Sequence, residues 1–362
     1  MRRFNERLIL SAVRRLGGAS KAELSRVTAL SPQAVVRIVD ELEAEGMLVQ
    51  TGKRKGGMGQ PATVYNINGK RGHTLGIEVG RSGLTMVLLD FDGQCKALDR
   101  VPVSFPSVDF VLNQIKRFSQ TNALVSANFM GVGVAMPWFL GEWRDEMGIS
   151  DAQASEWHDP AVEARLRDGI VWPVYFENDG NAATLAQSLC GAARDIDDFL
   201  SVHLGTFIGG GVVLGGRVVQ GRHGNAGALA SMPVCIDGQH DYLIHHASLY
   251  TLPHDANATT RAKWVERCAD ALGFAVISAS SLLDFGTVVV DGATSPELLR
   301  DVAVALERRL GDDTPKDFFS PTIRCGSLGD TAPAVGAGLL PLHASYSPDI
   351  AALTKPPALQ SA

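Results

Sequence analysis

Two short segments carry residues whose types and spacing could bind a ligand, and one of them could bind a phosphate. The segment HLGTFIGGGVVLGG, residues 203–216, combines the hydroxyl of Thr206 with a cluster of glycines. Glycine allows a positive φ and a close approach of the backbone, and amides exposed in such a turn can cradle a phosphate. The segment FENDGN places the polar residues Asn178 and Asp179 at the junction of a predicted strand and a predicted helix. The glycine-rich segment is typical of a nucleotide-binding enzyme, or of a protein that retains the shape of one for another purpose.

The surrounding sequence alternates between predicted strands and helices. HTLGIEVGRSGLTMVLLDFDGQ and FLSVHLGTFIGGGVVLGGRVVQG each predict two strands around a glycine turn. WPVYFENDGNAATLAQSLCGAA predicts a strand that runs into a helix, and an N-cap is the simpler interpretation of Asp179 at that junction. The alternation predicts the α/β class. Because a glycine hairpin opens each half, we expect a duplicated, two-lobed body with a ligand cleft between the lobes.

The first 70 residues differ from the rest in charge. They hold 12 Lys and Arg against 6 Asp and Glu, although the whole chain has a net charge of −6. A basic segment on an acidic body indicates a polyanionic partner, whereas solvated surface charge is the simpler interpretation. Apolar residues at helical spacing predict a first helix that stops at Gly17-Gly18, and Ser20 with Glu23 predicts a capping box for a second.

A third helix completes a predicted helix-turn-helix. Ser31 is a good N-cap, and Pro32 suits the first helical position. A helix-turn-helix places the first residues of its second helix against base edges in the major groove of duplex DNA. The residues that we predict to face double-stranded DNA are Ser31, Pro32, Gln33, Ala34 and Arg37. Gln33 could hold adenine, and Arg37 could take a phosphate or a guanine. A three-helix protein-interaction domain is the alternative.

A predicted hairpin follows the third helix. Its tip is basic and glycine-rich, as expected for a wing that contacts phosphates or the minor groove. The predicted contacts of the wing are Lys53, Arg54, Lys55 and Gln60. Residues 1–70 are therefore predicted to form a winged helix-turn-helix domain.

The five cysteines and the hydropathy indicate a cytoplasmic protein. The cysteines are scattered and form no CxxC pair, so we expect neither a disulfide framework nor a zinc knuckle. No apolar run approaches the roughly 18 residues of a membrane span, so we expect no membrane partner. No metal and no cofactor are expected.

The motifs in combination resemble the repressor branch of the ROK family (repressors, open reading frames, kinases). They are the winged helix, FENDGNAATLA, LGTFIGGGVVLGGRVVQGRHGNAGALASMP and GSLGDTAPAVGAGLLPL. The resemblance implies an actin/hexokinase-like body with lobes at 71–190 and 191–345, and we expect a flexible tail at 346–362. It also implies an operator-binding homodimer or homotetramer that regulates carbohydrate genes and responds to a sugar or a sugar phosphate.

Several positions depart from the pattern of the family's sugar kinases. Glu78 replaces an Asp in the first phosphate hairpin, and Arg81 and Phe207 stand where the two hairpins have glycine. The remaining hairpin residues, interpreted as vestigial phosphate loops, are Gly80, Gly205, Thr206, Gly209 and Gly210. Ala228 and Ser231 replace the Glu and His that hold the sugar, and the family's cysteine-rich zinc motif is missing. We therefore expect no kinase activity, with Asp179 a vestigial base.

Five residues remain candidates for binding an effector by this resemblance: Trp138, Trp157, Asn178, Asp179 and Ser231. The two tryptophans could stack on a sugar ring, although they could equally be core aromatics. Two alternatives stay open beside the sugar-responsive repressor: a sugar kinase with an added DNA-binding head, and a regulator that has no small-molecule effector.

Overall fold

The computed structural model describes residues 2–54, 61–81, 83–124, 128–138, 150–158, 161–236, 238–312 and 317–348. Among the helices in these ranges, none combines the length and the hydrophobicity that a bilayer-spanning segment requires.

The amino-terminal residues form the predicted winged helix-turn-helix. Its elements are α1 (Arg2–Leu16), α2 (Lys21–Thr28), α3 (Pro32–Ala44), β1 (Leu48–Arg54) and β2 (Ala62–Ile67). The capping box is present, because Ser20 Oγ accepts from the Glu23 amide at 3.3 Å and the Glu23 carboxylate accepts from the Ser20 amide at 2.8 Å. Val35 and Ile38 are buried on the inner face of α3 as predicted. This domain is called the head below.

The first lobe is built around a five-stranded sheet. Its elements are β3 (His73–Gly80), β4 (Gly83–Asp90), β5 (Cys95–Pro102), α4 (Val108–Thr121), β6 (Phe129–Met136), α5 (Asp151–His158), α6 (Val162–Gly169), β7 (Val174–Asn178) and α7 (Asp179–Leu189). The strand order is β5-β4-β3-β6-β7. The first three strands of this lobe are antiparallel, and β6 and β7 run parallel to β3.

The second lobe repeats this topology. Its elements are β8 (Phe199–Leu204), β9 (Gly209–Leu214), β10 (Arg217–Val218), β11 (Pro233–Ile236), β12 (Gln239–Tyr242), α8 (Ile244–Ala247), α9 (Ala258–Leu283), β13 (Thr287–Gly292), α10 (Pro296–Asp312), β14 (Thr322–Cys325) and α11 (Ala332–Tyr346). The strand order is β10-β9-β8-β13-β14, again with three antiparallel strands followed by two parallel ones. The duplicated, two-lobed fold is confirmed.

Helices α7 and α11 cross between the lobes, and α11 has a glycine at the point of closest approach. A Cβ built on Gly336 of α11 would lie 1.7 Å from the carbonyl oxygen of Ala182 in α7. On the other side, α11 packs on the first sheet so closely that a Cβ on Gly76 would lie 2.0 Å from the Ala334 carbonyl. The predicted second lobe at 191–345 therefore differs from the structure, in which α11 packs on the first lobe.

The carboxyl end of α11 holds the start of the predicted tail. The ring of Tyr346 meets Phe91 edge-on with centroids 5.1 Å apart, and the carbonyl of Ser347 accepts a hydrogen bond from Arg7 at 3.4 Å. The prediction of a flexible tail is therefore wrong for the first residues of 346–362, because an aromatic contact and a hydrogen bond fix them. Residues 349–362 lie outside the described part of the chain.

The head rests directly on the body. Leu10 and Val13 of α1 belong to the same buried cluster as Leu339 and Leu342 of α11. Arg14 donates to the carbonyl of Phe91 at 2.7 Å, which fixes α1 next to the first sheet. The position of the head therefore depends on α11 as well as on its own core.

Candidate functional site

The outer face of α3 presents the predicted DNA-contacting residues. Four of these residues are exposed, namely Ser31, Pro32, Gln33 and Arg37. The fifth, Ala34, is half-buried. The Ser31 hydroxyl caps the helix by accepting from the Ala34 amide at 3.3 Å. Local capping therefore fixes the start of the helix that the prediction assigns to the major groove.

The basic strand of the wing contacts α2 of the head through an ion pair. Lys53 and Arg54 are both exposed on β1. Arg54 forms an ion pair with Glu23 at 2.8 Å, so a phosphate contact would replace that pair. Exposed pairs contribute only about 0–1 kcal/mol, so the exchange is energetically easy. Lys55 and Gln60 fall outside the described residues.

In the body, the amino-terminal end of α7 holds the two predicted effector contacts in the cleft. Asn178 Oδ1 accepts from the amides of Gly180 at 2.9 Å and Asn181 at 3.3 Å. Asn178 is thus the N-cap, and the simpler interpretation of Asp179 as the N-cap is wrong. Asp179 is the first residue of the helix and is half-buried.

The residue before this cap organises a polar network that sequence reasoning did not assign. Glu177 is buried, and its carboxylate accepts from the amide of Asn178 at 3.0 Å and from Gln220 of the second lobe at 2.9 Å. A charged residue inside an otherwise apolar strand pattern was the available signal, since such a group is buried only when it is paired.

Glu78 on β3 faces the same cleft. Burial, followed by the negative charge of Asp179, raises the pKa of Glu78 to about 8. The departure from the kinase pattern at this position therefore places a carboxyl group that is protonated at neutral pH close to Asp179.

The two residues that replace glycine in the phosphate hairpins contact each other. The guanidinium of Arg81, after β3, lies 4.0 Å from the ring centroid of Phe207, after β8. The Phe207 ring in turn meets Tyr250 edge-on at 5.1 Å. An aromatic ring and a guanidinium therefore occupy the space between the hairpin tips, where a nucleotide phosphate would need a bare backbone.

One amide and two carbonyls of the second hairpin are also engaged. The amide of Ile208 donates to the buried Ser248 hydroxyl at 3.0 Å, while the carbonyls of Gly205 and Thr206 accept from the amides of residues 249 and 250. This turn is bound to its own lobe, and the Ile208 amide is not free to donate to a phosphate.

The glycines of β9 allow close packing. Gly209 and Gly210 lie in the strand, and neither has a positive φ. A Cβ on Gly210 would lie 2.2 Å from the carbonyl of Ser201. These two glycines therefore lie in the strand itself, where they let α7 and β8 approach closely, and their assignment to a vestigial phosphate loop stays a prediction. Gly80 ends β3 and also has no positive φ.

Family comparison identifies both parts of the chain. Residues 74–242 match the ROK family, and residues 4–57 match the MarR family. The chain therefore carries a ROK family domain behind a MarR-type helix-turn-helix. A solved ROK family transcriptional regulator, described as a homolog of the E. coli MLC protein, has the same fold, with a TM-score of 0.68 at 19% identity over 95% of this chain and 96% of that one.

Relatives of this chain include both repressors and kinases. The xylose repressor of Bacillus subtilis is 25% identical over 243 residues, which cover 66% of this chain and 62% of that repressor. The match thus spans less than two thirds of the repressor. The glucokinase of Halalkalibacterium halodurans is 24% identical over 315 residues, covering 74% of this chain and 94% of the glucokinase.

The tryptophans have different positions in the ROK body. Trp138 of the first lobe donates from Nε1 to the carbonyl of Gly224 in the second lobe at 2.8 Å, so it bridges the cleft. Trp157 is buried in the first lobe and donates to the carbonyl of Pro106 at 2.8 Å. The prediction that Trp157 stacks on an effector is therefore wrong, because its ring is part of the core.

The region of the altered ROK sugar motif is open to solvent. Ala228 and Ser231 are both exposed at a short 3-10 turn, Leu229–Ser231. Nearby, His245 and His246 both contact the carboxylate of Asp241, at 2.6 Å and 3.0 Å. Within the described residues, no three His, Cys, Asp or Glu side chains form a group that could hold a metal ion.

A second buried carboxylate joins α7 to the start of α11. Asp291 of β13 accepts from Gln187 of α7 at 2.6 Å and from the amides of Leu328 at 3.0 Å and Gly329 at 3.1 Å. It is 2% exposed, so these partners replace water entirely. Sequence reasoning missed this residue, since its partners are distant in the chain.

Proposed function

We propose that this chain is a DNA-binding transcriptional repressor whose ROK body senses a ligand. The observation that carries the proposal is the combination of two parts in one chain. A MarR-type head with an exposed α3 face precedes a ROK body in which Arg81 and Phe207 lie between the phosphate hairpins. A head of this type reads duplex DNA, and the altered hairpins favour sensing over phosphoryl transfer.

The effector in this proposal is a sugar or a sugar phosphate bound in the cleft between the lobes. The residues proposed to contact it are Asn178 and Asp179 at the start of α7, with Trp138 and Ser231 from the two sides. Asn178 already uses its side-chain oxygen as a helix cap, so a ligand would meet its amide nitrogen.

Two helices offer the mechanical link from the cleft to the head. Helix α7 begins at the proposed effector site and ends at Leu189 beside the head, about 16 Å away at 1.5 Å per residue. Helix α11 begins beyond the loop that Asp291 holds and ends on the head core. A ligand that favours one arrangement of the lobes would thereby shift the position of the head.

The genes and the assembly are also proposals. We infer that the target operators belong to carbohydrate uptake or metabolism, supported by the relative named xylose repressor. A homodimer or homotetramer would present two recognition helices to a palindromic site, with half-sites one or more helical turns apart.

The test of DNA binding is selection of genomic fragments by the purified chain, followed by footprinting. Arg37→Ala is expected to weaken operator binding about tenfold, or ~1–3 kcal/mol. Arg267→Ala, which removes an exposed arginine from α9, is the matched control and should bind normally. Equal affinity of Arg37→Ala and the wild type would contradict the placement of the recognition helix.

A sugar kinase is the second candidate, because Asp179 is retained in the cleft and a glucokinase is among the relatives. Transfer of phosphate from ATP to any of a panel of hexoses would establish it, and we expect none. The third candidate is a regulator without a small-molecule effector. A thermal shift with one member of a sugar and sugar-phosphate library would exclude that version.

A further inference from the structure

A cavity of about 900 Å³ lies between the head and the ROK body. The head contributes α1 and the end of α2, and the body contributes the ends of α7 and α11 with the turn before β10. Its volume is in the range of small-molecule sites, which are commonly 300–1,000 Å³. It is separate from the cleft at Asp179, so the proposed effector site does not account for it.

The wall of this cavity is strongly basic. Five arginines line it with a single aspartate, and no glutamate is among the described lining residues. That aspartate, Asp197, is already paired with Arg15 at 2.7 Å. Arg14 and Arg194 have no carboxylate partner among the described lining residues.

Two of these guanidinium groups have hydrogen-bond donors that no described residue accepts. Arg14 donates one terminal nitrogen to the Phe91 carbonyl, while its Nη1 is buried without a partner. The Nε of Arg194 is likewise buried without a partner. Buried N–H groups that carry charge are costly to leave unpaired. Burial lowers the pKa of Arg14, and the nearby carboxylate of Asp92 opposes that shift only in part.

Arg14 and Arg194 come from opposite sides of the junction. Arg14 belongs to α1 of the head, and Arg194 follows α7 in the body. The guanidinium of Arg194 reaches to within 3.8 Å of the Cβ position of Gly17, at the end of α1. An oxyanion held by both side chains would therefore join the head to the body.

The geometry and charge select the class of ligand. Guanidinium groups bind phosphate in a planar, two-pronged manner that a neutral sugar cannot match. The remaining wall contains apolar side chains, including Leu10, Leu189 and Ile196, that suit a small organic group. We propose that this cavity binds a phosphate monoester, with the phosphate between Arg14 and Arg194, and that binding holds the head to the body.

The test is isothermal titration calorimetry of the full chain at one ionic strength. The probes are inorganic phosphate, glycerol 3-phosphate and glycerol. We expect saturable binding of both phosphate compounds and none of glycerol. Arg194→Gln should weaken phosphate binding at least tenfold, whereas the matched control Arg267→Gln should bind as the wild type does. Thermal unfolding of each variant checks that it is folded.

Four results would overturn the proposal, three of them in the phosphate titrations and one in operator binding. One is the absence of saturable binding of either phosphate compound to the wild type. Another is equal affinity of Arg194→Gln and Arg267→Gln. The third is loss of binding in Asp179→Asn with retention in Arg194→Gln, which would put the phosphate in the cleft. Operator binding is measured separately without phosphate. If Arg194→Gln lost operator affinity as strongly as Arg37→Ala, the guanidinium would belong to a DNA contact and the cavity assignment would be wrong.

Discussion

The contact between Arg81 and Phe207 predicts a measurable coupling energy. The guanidinium lies 4.0 Å from the ring centroid, well within the ~6 Å over which a cation is attracted to an aromatic face. Burial lowers the pKa of Arg81 to about 10, and the same burial limits the screening of the contact by water. Such pairs contribute ~0.5–1 kcal/mol when exposed and ~2 kcal/mol when desolvated, which predicts a coupling of about 1–2 kcal/mol.

A double-mutant cycle isolates this term. The wild type, Arg81→Ala, Phe207→Ala and the double variant are unfolded in urea, and the coupling is the departure from additivity. The contact of Phe207 with Tyr250 is lost in both variants that lack Phe207, so it cancels. The control cycle pairs Phe207→Ala with Arg117→Ala, a substitution on α4, and should be additive within ~0.5 kcal/mol.

Two outcomes would refute the reasoning. A coupling below ~0.3 kcal/mol would mean that the two side chains do not stabilise each other in solution. Tight binding of an ATP analogue to the wild type, measured by calorimetry, would mean that Arg81 and Phe207 do not block the phosphate position. The second result would also revive the kinase candidate.

Three further predictions concern pH, packing and buried polarity. The pKa of Glu78 in the folded state is raised to about 8, so the native state holds a proton that the unfolded state releases. The free energy of unfolding in urea should therefore fall as the pH rises from about 5 to 8, by at most ~1.4 kcal/mol per pH unit. The variant Glu78→Gln should flatten this slope. Gly210→Ala should destabilise the chain by ~1–3 kcal/mol in thermal unfolding, because its Cβ would meet a carbonyl of β8, while Gly286→Ala in open space should have little effect. Asp291→Ala should cost ~3 kcal/mol or more in urea unfolding, since it leaves the amide of Gln187 and two backbone N–H groups without an acceptor.

Local signals allowed accurate prediction of the head. Ser20 with Glu23, and Ser31 with Pro32, define helix starts through contacts within one turn, so a sequence reader can recognise them. The strand-to-helix junction at Asn178 was equally visible, although the sequence could not tell which of two adjacent polar residues forms the cap.

Features that depend on distant segments were not predictable. The contact of Arg81 with Phe207 exists because two hairpins more than a hundred residues apart face each other across the cleft. The indole N–H of buried Trp157 is satisfied by the carbonyl of Pro106, about fifty residues earlier in the chain. The local sequence around a tryptophan does not indicate whether it lies in the core or in a binding site. The packing of α11 on the first sheet likewise follows from backbone contacts at Gly76 that only the folded chain reveals.

The bare crossing of Gly336 over Ala182 leaves no soft layer of side chains to absorb strain between the two connecting helices. Close-packed contacts of this kind have low compressibility and transmit strain. A tilt of α7 at its cleft end is therefore transmitted to its other end, which lies next to the head. A bulkier residue at position 336 would therefore disturb the response to ligand even if both the ligand cleft and the DNA-binding surface remained intact.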